Sequence, residues 1–173
     1  RVSQLNPVVG RMEVIRLGKN AKSEGVLAIV DYAHTPDALE KTLQALRPIA
    51  EQRHGKIWCV FGCGGNRDVG KRPQMGSVAA RYADQVLITS DNPRSEDPQI
   101  IMQMIRDGID DNAQHIQLIA DRAAAIMAAI RNADVRDIVL VSGKGHETVQ
   151  EIKGKKFEFS DQEHIRLAAG GSI

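Results

Sequence analysis

Aromatic side chains are nearly missing from this sequence: one Trp, two Tyr and three Phe make up 3% of 173 residues. The core must therefore be aliphatic, built from Val, Ile, Leu, Ala and Met. Cysteine is equally scarce, and Cys59 and Cys63 alone cannot form a disulfide framework. No apolar run approaches the roughly 20 residues of a membrane span, and the first residues lack the apolar stretch of a signal peptide. Neither charge is in excess. With 23 Lys plus Arg against 22 Asp plus Glu, the formal charge is +1, which argues against binding nucleic acid or an anionic membrane through a broad basic field. Internal repeats and low-complexity segments are missing too. The expectation is a soluble, cytoplasmic protein with no nucleic-acid partner and no membrane insertion.

What is present is the mix of an ordinary globular protein, 42% hydrophobic and 26% charged. At roughly 150 residues per domain, the length predicts one domain over 1–173. Residues 1–10 read as a linker remnant and 170–173 as a frayed tail. A chain of this size buries about two-thirds of its unfolded surface, so it needs no disulfide or metal staple.

Short β-branched runs alternate with helical stretches, the pattern of an α/β domain with a mostly parallel sheet. Candidate strands are 26–31, 56–61, 85–90, 115–119 and 137–142, several apolar on both faces, as expected when helices cover both sides. A further strand is expected over 12–17. The first helix should open on Thr35 as N-cap with Pro36 at its first position. Its residues Leu39, Leu43, Leu46 and Ala50 recur at helical spacing and should face the sheet. More helices are expected near 73–83, 98–108 and 121–133. Lys153-Gly154 is a two-residue turn for a hairpin of 148–152 with 155–159. Ser160 to Glu163 matches a capping box that starts a terminal helix.

In open α/β sheets, ligands bind beyond the carboxyl ends of the strands, and four loops here leave such ends. In Asp31-Tyr-Ala-His-Thr-Pro36, His34 precedes a positive helix end; Asp31 and His34 could meet a ligand or only stabilise the turn. Gly62 to Pro73 concentrates glycine with Arg67, Lys71 and Arg72. Gly65 to Lys71 fits G-x-x-x-x-G-K, but Arg72 stands where a P-loop needs Ser or Thr, so a true P-loop is rejected. A cationic anion-binding loop remains, against a Gly-rich connection with solvated charges. Ser90 to Pro98 presents Asp91, Asn92, Pro93 and Arg94. An Arg beside an Asp suits a zwitterionic amino acid, or forms an internal pair that holds the turn. In Ser142 to Thr148, Gly143 and Gly145 allow close backbone approach. His146 has no second His or Cys at ligand spacing, so a metal site is not expected.

Taken together, Gly10 to Glu13, Asp31 to Pro36, Gly62 to Asp68 with Gly70 to Pro73, Asp91 to Arg94 and Gly143 to Glu147 resemble the Mur ligase family, in family order over nearly the whole chain. The likeness is to its diaminopimelate-adding branch and to the C-terminal, Rossmann-like domain only. It implies an ATP- and Mg²⁺-dependent ligase in the full-length protein, with the family's P-loop in another domain. Such an enzyme adds meso-diaminopimelate to UDP-MurNAc-L-Ala-D-Glu through an acyl phosphate in peptidoglycan synthesis. The resemblance assigns the amino acid to Arg67, Asp91, Asn92, Pro93, Arg94, Gly143 and Glu147, and contact with ATP to Arg11, Asp31 and His34. Arg67 and Arg94 suit the distal carboxylate, Asp91 and Glu147 the distal ammonium. The chain alone is expected to be inactive. The alternatives are a free-standing nucleotide- or phosphometabolite-binding module, and a folylpolyglutamate synthase-like domain.

Overall fold

A computed structural model describes residues 10–17 and 25–170. Most of the expected linker (1–10) and of the tail (170–173) therefore lies outside the described residues. The sheet comprises β1 (Glu13–Ile15), β2 (Leu27–Asp31), β3 (Ile57–Phe61), β4 (Gln85–Ile88), β5 (Ile116–Leu118) and β6 (Ile138–Ser142). Between and after them run α1 (Pro36–Arg53), α2 (Lys71–Tyr82), α3 (Pro98–Arg106), α4 (Arg122–Asn132) and α5 (Asp161–Ala168). The separate hairpin is β7 (Val149–Ile152) with β8 (Lys155–Glu158).

Strand order is β1-β2-β6-β3-β4-β5, all pairs parallel except β1 with β2. Handedness explains where the helices lie. Steps β2 to β3, β3 to β4 and β4 to β5 move one way across the sheet, so their right-handed crossovers put α1, α2 and α3 on one face. The step from β5 back to β6 reverses direction and puts α4 on the other. Two aliphatic cores result, split by strand alternation. Ile29, Cys59, Phe61, Ile88 and Leu140 pack with α1 to α3; Ala28, Val30, Val60, Leu87 and Val141 pack with α4 and α5. Leu39, Leu43, Leu46 and Ala50 are all buried, as their spacing predicts.

Caps follow the sequence closely. Thr35, Asp121 and Ser160 each accept a backbone N–H in the first turn of α1, α4 and α5, and Asp97 does so for α3. Differences are local. α2 begins at Lys71 rather than Pro73, because a proline in the first turn gives up an N–H that has no intrahelical partner. β1 is shorter than 12–17, since Met12 turns into the left-handed region (φ 46°) and gives its N–H to Asp31. β4 ends at Ile88: Thr89 still donates to Phe61 O, and the chain then leaves the sheet.

Candidate functional site

Because β2, β3, β4 and β6 run parallel, their carboxyl ends share one edge, and the loops after them meet there. They line two adjoining cavities. One, of about 300 Å³, is bounded by Arg11, Asp31, Tyr32, His34, Thr35 and Thr42. The other, of about 350 Å³, is bounded by Tyr32, His34, Gly64, Arg67, Asp68, Lys71, Asp91, Asn92, Arg94, Gly143 and Glu147. Six of the seven residues expected to take the amino acid thus share the second cavity, and the three assigned to ATP share the first. Pro93 is the exception. Its side of the loop faces another hollow, beside Ser90 and Pro98, while its carbonyl fits against Gly65, where a Cβ would come within 1.9 Å.

The loops are fastened to one another. Gly65 N–H donates to Asn92 O at 2.7 Å, and Glu96 accepts from Asn66 N–H. Arg72, expected on the cationic loop, is instead fully buried and pairs with Glu96 at 2.6 Å while donating to Gly64 O. Its charge braces two loops and is not offered to a ligand. The hydrogen bonds from Arg72 and Asn66 hold the Glu96 carboxyl below its ordinary 4.5. A lowered carboxyl stabilises the fold above its unfolded value, and that support is lost as pH falls through the folded value. Glu96→Gln is therefore expected to lower Tm by a constant amount from pH 5 to 8. The gap to the parent should shrink below about pH 4. A gap that stays constant down to pH 2 would contradict this bracing role.

The acceptors form the floor of the second cavity. Asp91 and Asn92 are buried, and Lys144, with no exposed side-chain area, lies beneath them. Its ammonium is 3.0 Å from Asn92 Oδ1, 3.6 Å from Asp91 Oδ1 and 3.5 Å from Glu147 Oε2. Gly143 adopts φ 117°, and a Cβ there would stand 2.8 Å from Asp91 Oδ2, so no larger residue leaves that carboxylate in place. Deeper still, Arg122 grips Asp161 through two 2.8 Å bonds and donates to Ser90 O and Ser142 O, the ends of two of the site's loops. Burial works against its charge, but Asp161 foremost, then Asp91 and Glu147, hold it above the usual guanidinium value.

Arg94 does not pair with Asp91, the arrangement that adjacency in sequence suggests. Its guanidinium donates to Gly65 O at 2.9 Å and lies 3.4 Å from Glu151. Its backbone, at φ 52°, bridges the hairpin, accepting from Lys153 N–H and donating to Glu151 O. The hairpin thereby aims this side chain, and Gln150 and Glu151 N–H tie it further to Asp91 O and Asn92 Oδ1. Arg67 is exposed, and its guanidinium donates to the neighbouring Asn66 O.

In the first cavity, Asp31 is buried with its carboxylate already accepting from Met12 N–H, Ala33 N–H and the Thr42 hydroxyl. It shapes the turn that presents His34 and Tyr32. Those rings meet edge-on at 4.8 Å, and His146 stacks with Tyr32 at 6.0 Å. Lys71 donates to His34 O. The two cavities share this aromatic wall. Burial pushes Cys59 up to about 12, and burial does the same to Cys63, so neither thiol is a nucleophile at neutral pH. Among the described residues, no three His, Cys, Asp or Glu side chains gather as a metal cluster, and no helix is long and apolar enough to cross a membrane.

Lys144, Arg122 and Glu151 escaped the sequence reading as site components. Nothing local marks the lysine between Gly143 and Gly145 as buried, and no spacing rule links Arg122 to Asp161, 39 positions away.

Comparison with known proteins fits this geometry. A sequence model described as the Mur ligase, glutamate ligase domain matches residues 10–145. This chain belongs to the Mur ligase family. The UDP-N-acetylmuramoyl-L-alanyl-D-glutamate–2,6-diaminopimelate ligase of Ralstonia nicotianae is 62% identical over 168 residues, 97% of this chain and 32% of that protein. The Coxiella burnetii ligase of the same name is 51% identical over 96% of this chain and 32% of its own length. This Mur ligase domain therefore spans about a third of the curated relatives it matches. A solved structure of a ligase of that name superposes with a TM-score of 0.82 at 44% identity, over 96% of this chain and 32% of that one. A bifunctional folylpolyglutamate synthase/dihydrofolate synthase from Yersinia pestis reaches TM-score 0.59 at 20% identity, over 81% of this chain and 29% of that one, which shows a shared fold alone.

Proposed function

We propose that this domain is the amino-acid-binding part of an ATP-dependent ligase that joins meso-diaminopimelate to UDP-MurNAc-L-Ala-D-Glu in peptidoglycan synthesis, in the cytoplasm where ATP is available. One juxtaposition carries the reading: the guanidinium groups of Arg67 and Arg94 share a cavity with two carboxylate acceptors, Asp91 and Glu147. Guanidinium groups match a carboxylate, and the acceptors match an ammonium group. Both charges sit on one carbon at each end of diaminopimelate, whereas the far end of lysine carries only the ammonium. The Ralstonia and Coxiella relatives are 2,6-diaminopimelate ligases by name, which supports the same amino acid.

Anchoring the distal centre leaves the other amine at the cavity mouth. There it attacks the acyl phosphate made from the dipeptide's carboxylate and ATP: a C–N bond forms, the C–O bond to phosphate breaks, and phosphate leaves. Arg11 and His34 face the first cavity, where an anionic nucleotide would bind, with Asp31 positioning their turn. Nothing in this chain pairs Gly-Lys with Ser or Thr around Mg²⁺ and the phosphates, so the chain alone neither hydrolyses ATP nor forms the amide.

Titration calorimetry of the chain tests the reading. Meso-diaminopimelate is expected to bind at least about tenfold more tightly than lysine, the value of one charge-assisted contact. Binding of ATP without any response to diaminopimelate would replace this reading with that of a nucleotide-binding module.

A further inference from the structure

We propose that Lys144 is a positioning residue that sets amino-acid selectivity, by acting from below the cavity as the counter-charge to its carboxylate floor. The inference rests on the amino-acid reading above and goes beyond it, since Lys144 lines neither cavity.

A lysine side chain with no exposed area must have its ammonium satisfied internally, and here the partners are Asn92 Oδ1, Asp91 and Glu147. Of these, Asp91 and Glu147 are the carboxylates that line the cavity, with Asn92 beside them. Lys144 therefore occupies their inner side and turns them toward a common point. It also changes the charge that a ligand meets. Without Lys144, two carboxylates would make the floor an attractive seat for any primary ammonium group. With it, one of those two charges is already offset, while Arg67 and Arg94 add positive charge above. A ligand head that brings only an ammonium group gains little in such a cavity. A head that brings ammonium and carboxylate together fits both halves. Selectivity for a zwitterionic head then comes from two sources: Arg94 attracts the extra carboxylate, and Lys144 reduces the attraction to an unaccompanied cation.

Two neighbours support this assignment. Gly143, immediately before Lys144, is held at φ 117°, where a side chain would collide with Asp91, so the backbone is shaped to bring the lysine under the floor. Glu147 N–H donates to Lys144 O at 3.0 Å, which closes the turn that carries both members of the pair.

The test compares meso-diaminopimelate, lysine and norleucine, which lacks any distal charge, by calorimetry on the parent chain and on Lys144→Met and Lys144→Arg. In the parent chain, lysine is expected to bind no more than about threefold more tightly than norleucine, because Lys144 offsets one floor carboxylate and the Arg67 and Arg94 charges oppose a lone cation. Lys144→Met should lower the preference for diaminopimelate over lysine by about tenfold, the effect of one unit charge at close range in a partly solvated site. Lys144→Arg should keep that preference. Loss of affinity by Lys144→Met for all three ligands in equal proportion would show a merely structural role and overturn the inference. Should Lys144→Met fail to fold, the parent comparison still decides: lysine binding tenfold or more tightly than norleucine would overturn it. A parent chain that does not prefer diaminopimelate to lysine would instead overturn the amino-acid reading itself.

Discussion

Replacing Arg94 with alanine is expected to weaken meso-diaminopimelate binding by about 10- to 100-fold, while lysine binding falls by less than about threefold. The difference follows from a charge-assisted, two-pronged contact with the distal carboxylate, worth roughly 1.5–3 kcal/mol. Lysine lacks that carboxylate and so cannot use the guanidinium N–H groups that Gly65 O and Glu151 leave open, the kind of missing contact by which a polar site discriminates. The structure sharpens the competing explanation. Arg94 also holds Gly65 O and Glu151, and its backbone joins the loop to the hairpin. Alanine keeps the backbone bridge and removes only the guanidinium. If the guanidinium merely braced the loops, the floor residues Asp91 and Asn92 would shift for every ligand, and both amino acids would lose affinity equally. Equal losses in titration calorimetry, with an unchanged circular dichroism spectrum, would remove Arg94 as the carboxylate contact.

The largest stability effect is expected at Asp161. Its carboxylate and the Arg122 guanidinium are both without exposed side-chain area and share two hydrogen bonds of 2.8 Å. Asp161→Ala leaves a buried guanidinium with only carbonyl partners. Breaking one side of such a pair costs about 3–5 kcal/mol. With a urea m-value of about 2 kcal/mol/M, the unfolding midpoint should fall by about 2 M. Removing both charges in Arg122→Met/Asp161→Leu should cost less than Asp161→Ala alone, because no uncompensated charge remains. A shift under about 0.5 M for Asp161→Ala would mean that Ser90 O and Ser142 O satisfy Arg122 without the carboxylate.

The sheet and the helices were legible because their signals are local. Alternation of β-branched runs, the Thr35-Pro36 start and the leucine spacing of α1 each report on a few neighbouring residues, and each was found where expected. The four loops were legible as a group for the same reason: parallel strands with right-handed crossovers put all their carboxyl ends on one edge. What the sequence could not reveal was how charges within those loops divide between ligand and protein. Arg67 and Arg72 lie five positions apart in one loop and look alike as letters. Yet Arg67 is exposed, whereas Arg72 is sealed against Glu96 from a different loop. Asp31 likewise reads equally well as a ligand contact or a turn brace, and only the fold brings Thr42 and Met12 to it. Lys144 and Arg122 are the strongest cases, for a buried cation is recognisable only by partners that are distant in sequence.

At issue is whether the cavity framed by the Arg67, Arg94 and Gly143 loops holds the amino acid. Backbone amide chemical-shift mapping of the isotope-labelled chain during titration with meso-diaminopimelate tests it most directly. Saturable shifts are expected to concentrate at Gly64, Arg67, Asp91, Asn92, Arg94, Gly143 and Glu147, with Ala38 and Thr42 of the first cavity unmoved. Shifts centred on His34, Thr35 and Thr42, with the Asp91 to Arg94 amides unchanged, would contradict it.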